Sequence, residues 1–309
     1  MSTPISNIAL IGASGMLGPS ILAALRAHPT FTPFVLNRHS SKSIYPKTRV
    51  ITIPDDLNIP ELTTLLKEAE IDALVIAIAG SHVEPQKKLI EAAFNAGVKR
   101  VIPAEFGSCD SADERTNQIL PLMEGKKRVR DILIDVSKRG CEGEGVEELT
   151  WTSLVPGHFF DAGLGYGLLK FDVRKRKAYL IDGGDVKFSA SNLGFIADAV
   201  VRILERYEET ANRMLYVHSH YVTQKEVLAS LEKATGDKFE VSEESSEEVI
   251  RKARPKLLEG DHDAMEETVA VHGLVASDWS QNKGFANELL GLKEEDLDEV
   301  VKRVVGELK

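Results

Sequence analysis

Ile8-Ala9-Leu10-Ile11-Gly12-Ala13-Ser14-Gly15-Met16-Leu17-Gly18 is the stretch that decides the fold. Ile8–Ile11 is a short apolar run ending at a glycine, the pattern of a buried strand. Ile21, Leu22 and Leu25 then recur at helical spacing, and Pro19 stands in the first turn, where its missing N–H removes no intrahelical bond. Strand, glycine turn and helix in that order are the context a glycine-rich motif needs to hold a dinucleotide. Gly12 permits the tight turn, Gly15 lets a pyrophosphate approach the backbone, and Gly18 lets helix and strand pack closely. The helix N-terminus adds unpaired N–H groups and partial positive charge. Gly12, Ser14, Gly15, Met16, Leu17 and Gly18 are therefore the expected phosphate cradle.

Downstream, strand and helix signals alternate. Phe34–Leu36, Val50–Ile53, Ala73–Ala79, Val98–Pro103 and Leu149–Val155 read as strands. Residues 61–70, 85–95 and about 120–138 read as helices between them. This rhythm predicts an α/β fold, a doubly wound parallel sheet of the Rossmann type with helices on both faces. After Gly157 the rhythm changes: glycines cluster, and short strands are expected at Ala178–Ile181 and Val186–Ser189. A helix over Leu193–Glu205, a strand over Met214–His218 and helices over 224–234, 244–253 and 294–308 complete the pattern. The expected division is a dinucleotide domain over residues 1–156 and a smaller, mostly helical α/β substrate lobe over 157–309, with about 190–220 rejoining the sheet. Cys141–Glu148, acidic and glycine-bearing, reads as a solvated loop.

The second strand ends at Leu36-Asn37-Arg38-His39-Ser40. An NAD site usually places a carboxylate there to accept from the ribose hydroxyl. Here a guanidinium stands instead, suited to a 2′-phosphate, with the Ser40 hydroxyl close by. The expected cofactor is NADPH/NADP, held also by Ala79 at the end of its apolar run.

The 309 residues bury a large core, and a net charge of −10 repels phosphate backbones, so nucleic acid is not an expected partner. Cys109 and Cys141 lack CxxC spacing, the eight histidines are scattered, and no apolar run reaches membrane length. These features point away from a structural metal and a membrane, toward a reducing, cytoplasmic setting. Nothing in them specifies an oligomer.

The helix after the fifth strand carries Lys126, Lys127, Arg128 and Arg130. Most such charges are solvated. A lysine near the start of that helix would point toward the nicotinamide end of the cleft, where partial desolvation beside the cofactor could lower its pKa and let it serve as proton donor or relay. Periodicity alone leaves Lys126 and Lys127 open. Ser153, Tyr166 and Lys170 imitate the serine and YxxxK set of short-chain dehydrogenases, yet they fall one βα unit too late.

Six segments resemble the NmrA-like, isoflavone-reductase-like branch of atypical short-chain dehydrogenases: Ile11–Gly18, Leu36–Lys42, Gly97–Asp110, Leu120–Arg130, Leu149–Asp161 and Leu289–Leu297. The resemblance implies NADPH use and a catalytic lysine in the register of Lys126. It implies that Phe106 and Gly107 line the nicotinamide side and that Phe159 and Phe160 roof the substrate cleft. Ala104 departs from the pattern where a serine often precedes Glu-Phe-Gly. His158 stands beside the expected pocket, as an extra proton donor or a wall residue. The expectation is an NADPH-dependent reductase of a small aromatic or polyketide-like metabolite, with hydride passing to a ketone, enone or quinone-methide-like carbon. The rival from the same family is a redox sensor that binds NADP(H) without turnover.

Overall fold

The computed structural model describes residues 4–140 and 148–308; the loop expected at Cys141–Glu148 falls, except for Glu148, outside them. The described chain separates into two compact units. The first comprises Met1–Phe106, Leu122–Leu154 and Ile196–Leu215, and the second Gly107–Pro121, Val155–Phe195 and Tyr216–Lys309.

The chain opens with β1 (Asn7–Ile11), α1 (Gly18–Ala27), β2 (Thr32–Arg38), β3 (Arg49–Ile53) and α2 (Ile59–Glu68). It continues with β4 (Ala73–Ile76), α3 (Val83–Ala96), β5 (Arg100–Ile102), α4 (Glu114–Ile119) and α5 (Pro121–Gly140). β6 (Thr150–Val155), β7 (His158–Phe159), α6 (Phe160–Tyr166), β8 (Phe171–Asp172), β9 (Lys177–Ile181) and β10 (Lys187–Ser191) follow. Then come α7 (Leu193–Glu205), β11 (Arg213–Tyr216), β12 (His220–Thr223), α8 (Gln224–Thr235) and β13 (Glu240–Glu244). The chain closes with α9 (Ser246–Leu258), α10 (His262–Ala276), α11 (Asn287–Leu290) and α12 (Leu297–Glu307).

The first unit is built on a seven-stranded sheet ordered β11-β6-β5-β4-β1-β2-β3. The pairings β1–β2, β1–β4, β2–β3, β4–β5 and β5–β6 are all parallel. β4 (Ala-Leu-Val-Ile) is buried at every position, as a central strand covered on both faces must be. The order reverses between β1 and β4, and doubly wound sheets bind ligands beyond the strand ends at such a reversal. β4 is shorter than expected. The Ala77 N–H still bonds the Ile11 carbonyl at 2.9 Å, but the chain then turns, and the Ala79 carbonyl accepts from His82 N at 3.0 Å. Ala79 therefore sits in a turn after the strand.

Arg100, fully buried on β5, ties this sheet to the returning segment. It donates to the Thr150, Thr152 and Thr210 hydroxyls and to the Tyr207 carbonyl. Burial pushes its guanidinium down to about 10.

The second unit holds two three-stranded sheets, β12-β10-β7 and β13-β9-β8. Its core gathers Phe160, Leu164, Phe171, Phe188, Val227, Leu231, Val271 and Val301. Thr223 caps α8 in a reciprocal box with Glu226, and Asp261 and Asp296 cap α10 and α12. Among the described residues, no helix is long and apolar enough to cross a membrane.

Candidate active site

The glycine turn is held by steric necessity at two of its three positions. Gly12 has φ +88°, and a Cβ there would stand 2.3 Å from the Ala77 carbonyl oxygen. A Cβ on Gly18 would stand 2.1 Å from the Gly12 oxygen. Gly15 is less constrained: its N–H bonds the Gly12 carbonyl at 3.0 Å, and an added Cβ would approach that oxygen to 3.3 Å. Ser14, Gly15 and Met16 are exposed at the tip, while Leu17 is buried.

α1, like α3, α6 and α11, starts without a side-chain cap bond, but unlike those three it also carries no acid in its first turn. Leu17 occupies its N-cap. α2, α4, α8, α9, α10 and α12 each receive an Asn, Asp, Thr or Ser cap. With neither a side-chain cap nor an acid in its first turn, the start of α1 suits an anion such as a phosphate in charge.

Arg38 is exposed at the end of β2. Ser40 is already engaged: its N–H and hydroxyl donate to the Asp55 carboxylate at 3.1 and 2.6 Å. The Ser40 hydrogen bonds, with lesser help from His39 and Arg38, hold that carboxyl below its ordinary range. Asp55 follows β3, and no local pattern announces it. The guanidinium reading of this corner therefore includes one nearby carboxylate that the sequence did not reveal.

α5 sorts its cations by face. Lys127 is exposed and pairs with Asp131 at 3.0 Å, and Arg128 is exposed. Lys126 is only 7% exposed. Its Nζ donates to the Glu105 carbonyl at 2.8 Å and the Phe106 carbonyl at 3.4 Å, beyond the end of β5. Gly80, in the turn after β4, makes room for its stem: a Cβ there would lie 2.5 Å from Lys126 Cε. Lys126 thus stands at the carboxyl ends of β4 and β5, on the same sheet edge as the glycine turn. Periodicity had left Lys126 and Lys127 equal; burial distinguishes them.

The residues expected at the substrate side belong to the second unit. Phe159 is partly buried, but Phe160 has no exposed surface and stacks on His220 at 4.4 Å. Phe160 is a core residue, because α6 turns it inward. His158 is 4% exposed, and its Nε2 has no hydrogen-bond partner among the described residues. Gly273 makes the room: a Cβ there would be 2.2 Å from His158 Nε2. Burial pushes the imidazole down to about 4, against a hydrogen bond to the Ala270 backbone, so it is neutral at neutral pH. A neutral buried imidazole accepts a hydrogen bond better than it donates a proton.

The imitation set comes apart. Tyr166 closes α6, and Gly167, at φ 80°, ends the helix before Lys170. Lys170 pairs with Glu267 at 2.7 Å and Glu244 at 2.9 Å. Burial pushes its ammonium down, yet the two carboxylates outweigh that and hold it above its ordinary value. A tyrosine and a lysine that share no helix cannot act as a YxxxK pair.

Sequence order, glycine turn and uncapped helix together define a dinucleotide-binding protein of the Rossmann class. A model described as the NmrA-like family matches residues 4–141. Oxidoreductase aprR of Aspergillus flavus is 31% identical over 304 residues, 97% of this chain and 98% of that protein. Isoflavone reductase of Medicago sativa is 26% identical, across 80% of this chain and 81% of its own. A solved structure of AtPrR2 with NADP+ and (+)pinoresinol shares the fold, with a TM-score of 0.79 at 20% identity over 98% of this chain and 100% of that one. The chain belongs to the NmrA-like family.

Proposed function

We propose that the protein is an NADPH-dependent reductase of a small aromatic or polyketide-like compound, working in the cytoplasm. The observation that carries this reading is Lys126, a buried ammonium at the sheet edge that also holds the glycine turn. Bound NADPH supplies the hydride. The N–H groups at the start of α1 would receive its pyrophosphate, Gly15 would admit it to the backbone, and Arg38 would meet the 2′-phosphate. Ala79 and Phe106, in the turns after β4 and β5, would flank the cofactor. Reduction of a ketone, enone or quinone-methide-like carbon would gather negative charge on the substrate oxygen. Lys126 donates a hydrogen bond or proton to that oxygen, directly or through water. The relatives named oxidoreductase and isoflavone reductase support this chemistry.

The hold of two backbone carbonyls on Lys126 also suits a second reading, an NADP(H) sensor in which this lysine is structural. NADPH and NADH titrations of wild type and Arg38→Ala, joined to a turnover panel of aromatic ketones, enones and hydroxylated polyketides, separate the readings. The reductase reading expects Arg38→Ala to weaken NADPH about 10-fold or more while NADH changes little, and expects turnover in the panel. Equal losses for both cofactors would remove Arg38 from the 2′-phosphate. Tight NADPH binding with no turnover would favour the sensor.

A further inference from the structure

Lys126 does not choose its own position. Its ammonium rests on the carbonyls of Glu105 and Phe106, so whatever fixes that peptide fixes the lysine. On one side the peptide is pinned by its neighbour: Ala104 N–H donates to the buried Gln86 side chain at 3.0 Å, and Gln86 reaches the Gly80 carbonyl at 3.5 Å. Glu105 N–H bonds the Pro103 carbonyl at 2.8 Å and closes a tight turn.

On the other side stands an ion pair. The Glu105 side chain is 1% exposed and lies 3.6 Å from Arg130 Nη1, whose side chain is 7% exposed. Arg130 also donates to the Met214 sulfur at 2.7 Å. It lies four residues after Lys126 on α5, so both cations leave the same face of one helix. One helix therefore grips one residue twice: Lys126 by the Glu105 carbonyl, Arg130 by the Glu105 carboxylate. A buried carboxylate that loses the guanidinium beside it is drawn toward water or a proton, and a move toward water displaces the peptide it belongs to.

We propose that Arg130 is a positioning residue for Lys126, acting through Glu105. The catalytic half of this proposal rests on the reductase reading; the structural half does not. The test uses the intact protein as wild type, Arg130→Met, Arg130→Lys and Glu105→Gln, with circular dichroism to confirm folding. Lys126 is labelled competitively with acetic anhydride across pH and read by mass spectrometry, with Lys127 as internal reference. Arg130→Met and Glu105→Gln should each raise Lys126 labelling relative to Lys127 by about 3-fold or more, and Arg130→Lys should raise it less. Unchanged labelling and pH midpoint of Lys126 in a folded Arg130→Met or Glu105→Gln protein would overturn the proposal.

With a substrate from the panel, Arg130→Met should lower kcat roughly 10- to 100-fold and leave KM and NADPH affinity near wild type, because only the lysine is misplaced. The pH profile of kcat should shift with it, which a mere loss of folded protein would not cause. Full turnover in Lys126→Ala would instead mark failure of the catalytic reading, with the labelling result still deciding what places the lysine. Loss in Lys126→Ala with wild-type kcat in Arg130→Met would end the positioning role alone.

Discussion

At the scale of single residues, burial decides more than charge type. Lys126, Lys127 and Arg130 are cations within five positions of one helix; two are buried against backbone and carboxylate, and the third is solvated. His158 shows the same principle in a neutral group. Its native imidazole titrates near 4, while an unfolded histidine titrates near 6.5. Between those values the unfolded chain binds the proton and the folded one does not. The stabilisation is therefore complete above about pH 6.5 and is lost as pH falls toward 4, on the order of 3 kcal/mol for this residue. His220, also pushed to about 4 by burial, acts in the same direction. Urea unfolding from pH 7.5 to 4.5 should show stability falling with pH. His158→Leu should flatten that slope by up to one proton, about 1.4 kcal/mol per pH unit. An unchanged slope in the variant would mean that His158 is protonated in the native protein.

At the scale of elements, the βα units up to β6 were legible because each carries a strong local signal. Apolar runs end at glycine or proline, and helices repeat at three and four residues. The structure moves their ends by a few residues, most at β4, where the turn facing Gly12 claims Ala77–Ala79. Elements without a stripe were not legible. α10 buries Ala264, Thr268, Ala270, Val271, His272, Gly273 and Leu274 on several faces, and β13 is the charged run Glu-Val-Ser-Glu-Glu, made a strand by pairing with β9. Asp55 and the Glu105–Arg130 pair were invisible for a related reason: sequence separation hides them, although the four-residue step from Lys126 to Arg130 was a usable clue. The glycine turn yields a sharp prediction. Gly12→Ala and Gly18→Ala should lower stability by about 2 kcal/mol or more, since each new Cβ meets backbone that cannot retreat. Gly15→Ala should fold nearly as well as wild type and lose NADPH affinity. Calorimetric melting beside NADPH titration checks both; equal melting losses for all three would make Gly15 a structural glycine.

At the scale of the whole molecule, the chain builds its first unit from three separate stretches. Ile196–Leu215 returns to it, supplies β11 beside β6, and brings Tyr207 and Thr210 to Arg100. A fragment of residues 1–156 would keep the glycine turn and lose that returning stretch, leaving Arg100 short of two partners. It should fail to fold cooperatively by circular dichroism; a sharp melt with NADPH binding would show that the return is dispensable. Whether Lys126 serves the reduction rather than only the fold is read from NADPH oxidation by wild type and Lys126→Ala on the active members of the panel. The variant should lose about 100-fold or more in kcat, with NADPH affinity near wild type. Full turnover by a folded Lys126→Ala protein would leave Lys126 a purely structural residue.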